Sequence, residues 1–418
     1  MEGTDIVVIV IDTLRADRLS FYGHERITSP FLDALAEECV LFEEARSASS
    51  WTAPATASLF TGLHPDQHGV VTGLKISKRI ARSEAYAVNR IPPDRPTLPE
   101  LMQSAGYRTF GVADNPNICD AMGFARGFDE FASFDYEGGE RVNEVLEAWL
   151  PDLEADEPTF LYLHYMDPHV PYGARAPWYE EPAGGDDGSR EARLARYDSE
   201  IGYVDARIAE VFEWLDLRRD ALVVITSDHG EEFMEHGSWD HSFQLYDELL
   251  HVPFLIRGPD GGPLEPRRIA EPVSTLDLLP TLAGLVGLPL DVAVEGQDLS
   301  PALLDPEFEL PADRAIHAMR TEELKRTPQT LHAVVQGGVK AIVRDQGAEV
   351  ELYDLREDPD ESADLARRRP RLRAELTDAT LAFERRLRLA ERSFSDPITL
   401  DDEKRKTLER LGYVDEGE

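Results

Sequence analysis

Five short apolar runs, residues 6–11, 109–113, 160–165, 222–226 and 252–256, constrain this chain most, because each leads within two residues to a charged one: Asp12, Asp114, Asp167, Asp228 and Arg257. Continuous apolar runs of this length fit strands covered on both faces. Between them, Tyr197, Ile201, Val204, Ile208, Val211 and Leu215 recur at steps of three and four, which makes one apolar helix face. Strands separated by helical patterns predict an α/β fold with a mostly parallel central sheet flanked by helices. In such sheets ligand groups gather beyond the carboxyl ends of the strands, where Asp12, Asp167 and Asp228 are expected.

A core domain is expected over residues 1–305, with a smaller subdomain over 306–418. In the latter, residues 315–319, 331–335, 339–343 and 350–353 read as strands in close succession, which favours a small antiparallel sheet. Helices are expected over 370–392 and 402–411. The glycine-rich stretches 184–188 and 258–263 read as surface loops, and there is no internal repeat.

A chain of 418 residues that is 42% hydrophobic can bury a sizeable core. Its net charge of −38 repels nucleic acid and anionic membranes, so neither is expected as a partner. The carboxylates are spread along the chain, which reads as a halophilic surface; a docking face for a cationic partner is the competing reading. Cys39 and Cys119 are too few for a disulfide framework or a cysteine-built zinc site. The first residues lack a basic stretch followed by a long apolar one, and no run approaches the ~20 residues of a membrane span, so a cytoplasmic location is expected.

Three segments carry candidate chemistry. In the first, the strand ending at Ile11 runs directly into Asp12-Thr13, where a carboxylate is either a helix cap or a ligand. In the second, Thr52 precedes Pro54 and a run of small residues, which places it at a helix N-terminus. The helix dipole there favours an anion, and a threonine hydroxyl beside a metal could lose its proton and attack phosphorus or sulfur; a plain N-cap is the alternative. In the third, a strand reaches Asp228-His229-Gly230, an acid and an imidazole at a relaxed turn, which suits a divalent metal. His169 and His241 are candidates to contact the oxyanion or protonate a leaving group, with His164, His236 and His251 competing.

Taken in order, these segments resemble the sulfatase family of the alkaline-phosphatase superfamily. The match continues through residues 245–253, 274–282 and 351–359, and a tail ending Leu411-Gly412-Tyr413. The resemblance implies an alkaline-phosphatase-like fold in which Asp12, Asp228 and His229 hold a divalent cation beside the nucleophile position, Thr52. Asp and His ligation suits Mn or Zn better than the all-oxygen sites of Ca, which stays possible.

The departures from that pattern bear on activity. Sulfatases carry Cys or Ser at the nucleophile position, oxidised to formylglycine, and a secondary alcohol such as Thr52 cannot become that aldehyde. Thr56 stands where they have an Arg, Thr13 where they have a further metal-binding Asp, and Asp114 and Pro116 near their Lys and His. A threonine nucleophile resembles the phosphodiesterase and phosphotransferase branches, which pass through a phosphothreonine. The reading is a metal-dependent hydrolase of a sulfate, phosphate or phosphonate ester on a small molecule or glycan. A group transferase to a sugar or lipid headgroup and a non-catalytic anion-binding descendant are the alternatives. Substrate choice is assigned to loops near 75–95 and 174–190.

Overall fold

Successive side chains of the strand Asp5–Ile11 (β1) enter two separate cores: Ile6, Val8 and Val10 pack on one face, Val7, Ile9 and Ile11 on the other. The run carries no polar alternation because both faces are covered. The computed structural model describes the chain apart from residues 2, 75, 78–84, 154–156, 218–220, 242, 323–328, 388–392, 397, 400–401, 412 and 416–418.

With β1, the strands Val40–Phe42 (β2), Arg108–Ala113 (β3), Glu130–Ser133 (β4), Thr159–Tyr165 (β5), Ala221–Thr226 (β6), Phe254–Arg257 (β7) and Arg267–Ile269 (β8) form one eight-stranded sheet. Its spatial order is β8-β2-β7-β6-β1-β5-β3-β4. β6, β1, β5, β3 and β4 run parallel, β7 is antiparallel to β6 and β2, and β8 is parallel to β2. The sheet is therefore mostly parallel, as expected. Val10 registers with Thr226 of β6 and His164 of β5, so Asp12 and Asp228 leave the sheet side by side.

Helix Thr52–Thr61 (α1) lies on the first face, with Ala53, Ala57, Leu59 and Phe60 in that core. All its residues are buried, which its small side chains permit, and Gly62 ends it at φ 64° in the left-handed region. Gly139–Leu153 (α2) and Arg190–Trp214 (α3) cover the second face. α3 is the helix read from the apolar steps: Tyr197, Ile201, Val204, Ile208 and Val211 point into the core, and the Ser189 side chain caps it by accepting from Ala192 N.

The strands Ile316–Glu322 (β9), Gln329–Gln336 (β10), Val339–Arg344 (β11) and Glu349–Asp354 (β12) form the small antiparallel sheet. Pro370–Arg386 (α4) packs on one face through Leu372 and Leu376, while Ala318, Leu331, Ala333 and Ile342 on the other meet Leu245, Tyr246 and Leu250. The helix expected over 370–392 is thus seen to Arg386, and 388–392 lie outside the described residues. At the seam, fully buried Lys340 places Nζ 2.9 Å from Asp247 and 3.0 Å from Glu361, and Arg46 reaches the other oxygen of Asp247 at 2.7 Å. A charge this deep persists only when paired.

Beyond α4 the chain returns to the first core. Ser393–Phe394 and Ile398–Thr399 pair with Asn89–Arg90 and Ala85–Tyr86, and helix Asp402–Arg410 (α5) leads to Leu411 and Tyr413, which enter the first core. Among the described residues no helix is long and apolar enough to cross a membrane.

Candidate active site

Because β1 and β6 are neighbours in register, their carboxyl ends deliver Asp12 and Asp228 to one point. Ligand atoms of Asp12, Asp228 and His229 all lie within 4.8 Å of one another, and all three side chains are buried. Asp12 Oδ2 accepts from Asn115 Nδ2 at 2.6 Å, and Asp228 Oδ1 accepts from the backbone N–H of His229 at 2.9 Å. Asp12 Oδ1 and Asp228 Oδ2 have no hydrogen-bond partner. Burial, and for Asp12 also the neighbouring Asp228 charge, pushes both carboxyls above their ordinary range. Among the described residues neither carboxylate pairs with Lys or Arg. Two buried oxygens without a hydrogen bond, with His229 Nε2 3.5 and 3.6 Å away, fit a divalent metal held among the three side chains, which reverses that electrostatic penalty.

The turn after Asp12 is strained. Thr13 sits at φ 59°, an unusual conformation for a β-branched residue, and its buried hydroxyl also lacks a partner. Tyr197 of α3 holds the turn by donating to Thr13 O at 2.7 Å while accepting from Arg15 N at 3.0 Å.

Thr52 begins α1 and is fully buried. Its Oγ1 lies 3.4 Å from Asp12 Oδ2 and 3.3 Å from His229 Nε2. His229 Nδ1 lies 2.8 Å from Gly230 O, so Nδ1 carries the hydrogen and Nε2 presents a lone pair to the cluster. Thr56, one turn along the same helix, has a buried hydroxyl without a partner.

His169 and His241 both join this group. The His241 ring is 4.6 Å from that of His229 and 4.8 Å from that of His169, centroid to centroid. His241 Nδ1 is 2.9 Å from Glu231 Oε1, and Tyr172 donates to the other oxygen of Glu231 at 2.7 Å. His169 Nδ1 lies 2.6 Å from Val170 O, and burial lowers this imidazole to about 3, so it is a neutral acceptor through Nε2. His164 is drawn in as well, with Nε2 3.6 Å from Asp12 Oδ2. The other competitors lie elsewhere: His236 pairs with Glu248 at 2.7 Å near the seam, and His251 reaches Glu43 O at 2.8 Å.

Asp167 does not enter the metal cluster. Buried beside α2, it accepts from the N–H of Gly139 at 3.2 Å, and burial raises it to about 7. Asp114 likewise binds the N–H groups of Glu137 and Gly138 at 2.7 Å. Loop 174–190 approaches through Arg175, 3.7 Å from Asp167 and 2.7 Å from Glu200. Of loop 75–95, residues 75 and 78–84 lie outside the described residues, as do Ser242 and Gly412. Asn115 and Tyr413 are site members that the sequence does not mark: Asn115 lies between Asp114 and Pro116 and Tyr413 ends the family-like tail, and nothing in residue type distinguishes an amide or a phenol as a site member.

The sulfatase family model matches residues 4–288. The ulvan-active sulfatase of Formosa agariphila is 26% identical over 356 residues, covering 74% of this chain and 66% of the relative. Among solved structures, a 2-O GAG sulfatase superposes with a TM-score of 0.74 at 21% identity, over 94% of this chain and 95% of that one. The phosphonate monoester hydrolase of Agrobacterium radiobacter does so with 0.74 at 19% identity, over 95% and 100%. With a family match over most of its length and the fold shared almost end to end, the chain belongs to the sulfatase family of ester hydrolases.

Proposed function

We propose that this chain cleaves a phosphate, phosphonate or sulfate ester by attack of Thr52 through a covalent intermediate on that residue. One observation carries the reading: the Thr52 hydroxyl stands at the N-terminus of α1, 3.3–3.4 Å from His229 Nε2 and Asp12 Oδ2, beside two orphaned carboxylate oxygens. Asp12, Asp228 and His229 would hold a divalent cation, with the Thr13 and Thr52 hydroxyls next to it. When bound, that cation supplies positive charge against the ester oxygens and acidifies the adjacent hydroxyl. The mixed oxygen and nitrogen donor set favours Mn or Zn over Ca.

Thr52 Oγ1 forms the new bond to phosphorus or sulfur while its proton passes to Asp12 Oδ2. The ester oxygen departs with the bonding pair and takes the Nε2 proton of His241 in its imidazolium form, which Glu231 holds through Nδ1. Water then attacks the covalent intermediate, His241 accepts a proton from it, and Thr52 recovers its own. The first N–H groups of α1 stabilise charge on the non-bridging oxygens. Missing cationic side chains at Thr56 and Asp114 favour a phosphodiester over a sulfate monoester, while ulvan in a relative's name motivates testing sulfated glycans.

The test is turnover of nitrophenyl phosphate, bis-phosphate, phosphonate and sulfate with Mn, Zn or Ca, with mass spectrometry of the Thr52 peptide after brief exposure. A phosphoryl or sulfuryl adduct that vanishes, with turnover, in Thr52→Ala is expected. Full activity of Thr52→Ala, or no metal-stimulated turnover together with no bound metal, would overturn the reading.

A further inference from the structure

The phenol of Tyr413 reaches the centre of the site from a distant part of the chain. Its oxygen is 3.5 Å from Thr52 Oγ1, 3.4 Å from Asn115 Nδ2 and 3.3 Å from His169 Nε2. All three contacts exceed the ~2.7–3.0 Å of well-formed hydrogen bonds. Since His169 Nε2 is an acceptor, the phenol hydrogen points to it, and Asn115 donates to the phenol oxygen. The proton is thus held weakly, by a long bond to a neutral nitrogen. A non-bridging oxygen of a phosphate, phosphonate or sulfate is an anionic acceptor, and a hydrogen bond to it is about twice as strong.

Access points the same way. Asp12, Thr52, Asn115 and His169 are fully buried and Tyr413 is 1% exposed, so no ester reaches Thr52 unless a covering element moves. The element carrying Tyr413 enters the first core through Leu408, Leu411 and Tyr413 itself. On its outer side α5 is held by a Lys404–Asp135 ion pair at 3.0 Å and by Arg410 over the Tyr136 ring at 5.4 Å. Those outer contacts are partly exposed and resist displacement little, so the three buried side chains are what hold the element in place.

We propose that Tyr413 is a substrate-binding residue. Its O–H turns from His169 to a non-bridging oxygen of the group that Thr52 attacks, and α5 closes over the bound ester. This rests on Thr52 being the nucleophile.

Tyr413→Phe keeps the ring and its packing and removes only the donor. Its kcat/KM for a nitrophenyl ester, and its inhibition by inorganic phosphate, should each weaken by about 10- to 100-fold. Metal content and melting temperature should not change. Trypsin cleavage after Arg410 should slow when phosphate is added to the metal-loaded wild type. Wild-type kcat/KM and phosphate inhibition in Tyr413→Phe would overturn the proposal while leaving the Thr52 chemistry standing. Equal cleavage with and without phosphate would remove the closing role. Should the wild type turn over no ester, calorimetric phosphate binding decides: weakening in Tyr413→Phe by the same factor upholds the contact, and equal binding refutes it.

Discussion

Replacing Lys340 with Met takes one buried charge out of the seam between the two sheets and leaves its partners behind. Asp247 keeps Arg46 at 2.7 Å, but among the described residues the Glu361 carboxylate retains only the backbone N–H of Asp247, at 2.5 Å. Breaking a buried pair costs roughly 3–5 kcal/mol, and the surviving Arg46 contact places this case at the low end, about 3 kcal/mol. At about 2.1 cal/mol/K per residue, unfolding so long a chain carries an entropy near 0.9 kcal/mol/K, so the melting temperature should fall by about 3–4 °C. The loss should also depend on pH. Burial raises Glu361 from 4.5 to about 7, and Lys340 opposes that rise. Without Lys340 the folded carboxyl holds its proton to higher pH still, while the unfolded chain releases it near the ordinary value. Each protein therefore loses stability as pH rises from 4.5 through its own folded pKa, and the variant keeps losing it above pH 7, where the wild type has levelled off. Calorimetric melts of both proteins at pH 5 and pH 8 should show the smaller deficit at pH 5. A deficit below about 1 kcal/mol at pH 8, or one equal at both pH values, would refute the reasoning.

Two predictions concern the site. Asp228→Asn should lower Mn or Zn affinity by more than about 100-fold in titration calorimetry, because it removes ligand charge as well as geometry. The metal-free variant should melt no lower than metal-free wild type, since a buried carboxylate beside Asp12 has gone; unchanged metal binding would take Asp228 out of the site. His241→Gln should lower kcat/KM for alkyl esters by about 100- to 10,000-fold but for nitrophenyl esters far less, because nitrophenolate leaves without a proton and kcat/KM does not include the later attack by water. Glu231→Gln should follow the same pattern more mildly, and equal losses on both ester types would contradict the acid role.

The sheet was legible because a strand buried on both faces has only one way to be written, as in residues 6–11 and 222–226. The site was legible where a carboxylate follows such a strand, since parallel register alone brings Asp12 and Asp228 together. That same rule overreached at Asp167, which leaves β5 like a ligand but turns to the N-terminus of α2. Nothing local separates the two fates: the difference is whether the neighbouring helix start already has an acceptor. Asn115 and Tyr413 were illegible for a different reason. Their roles come from where distant elements cross, and an amide or a phenol is equally at home in a core. His169 and His241 lay between these cases, with a suitable residue type but proximity decided by the fold.

The left-handed turn at Thr13 bears on how this site can change. A β-branched residue costs about 1–2 kcal/mol there, whereas aspartate adopts that conformation more readily. The replacement that would restore a family-like ligand is therefore downhill for the backbone. It would also set a third carboxylate beside Asp12 and Asp228, which already repel each other in a buried cluster. Conformation and charge thus pull this one position in opposite directions, and a threonine at φ 59° is the outcome in which electrostatics prevails.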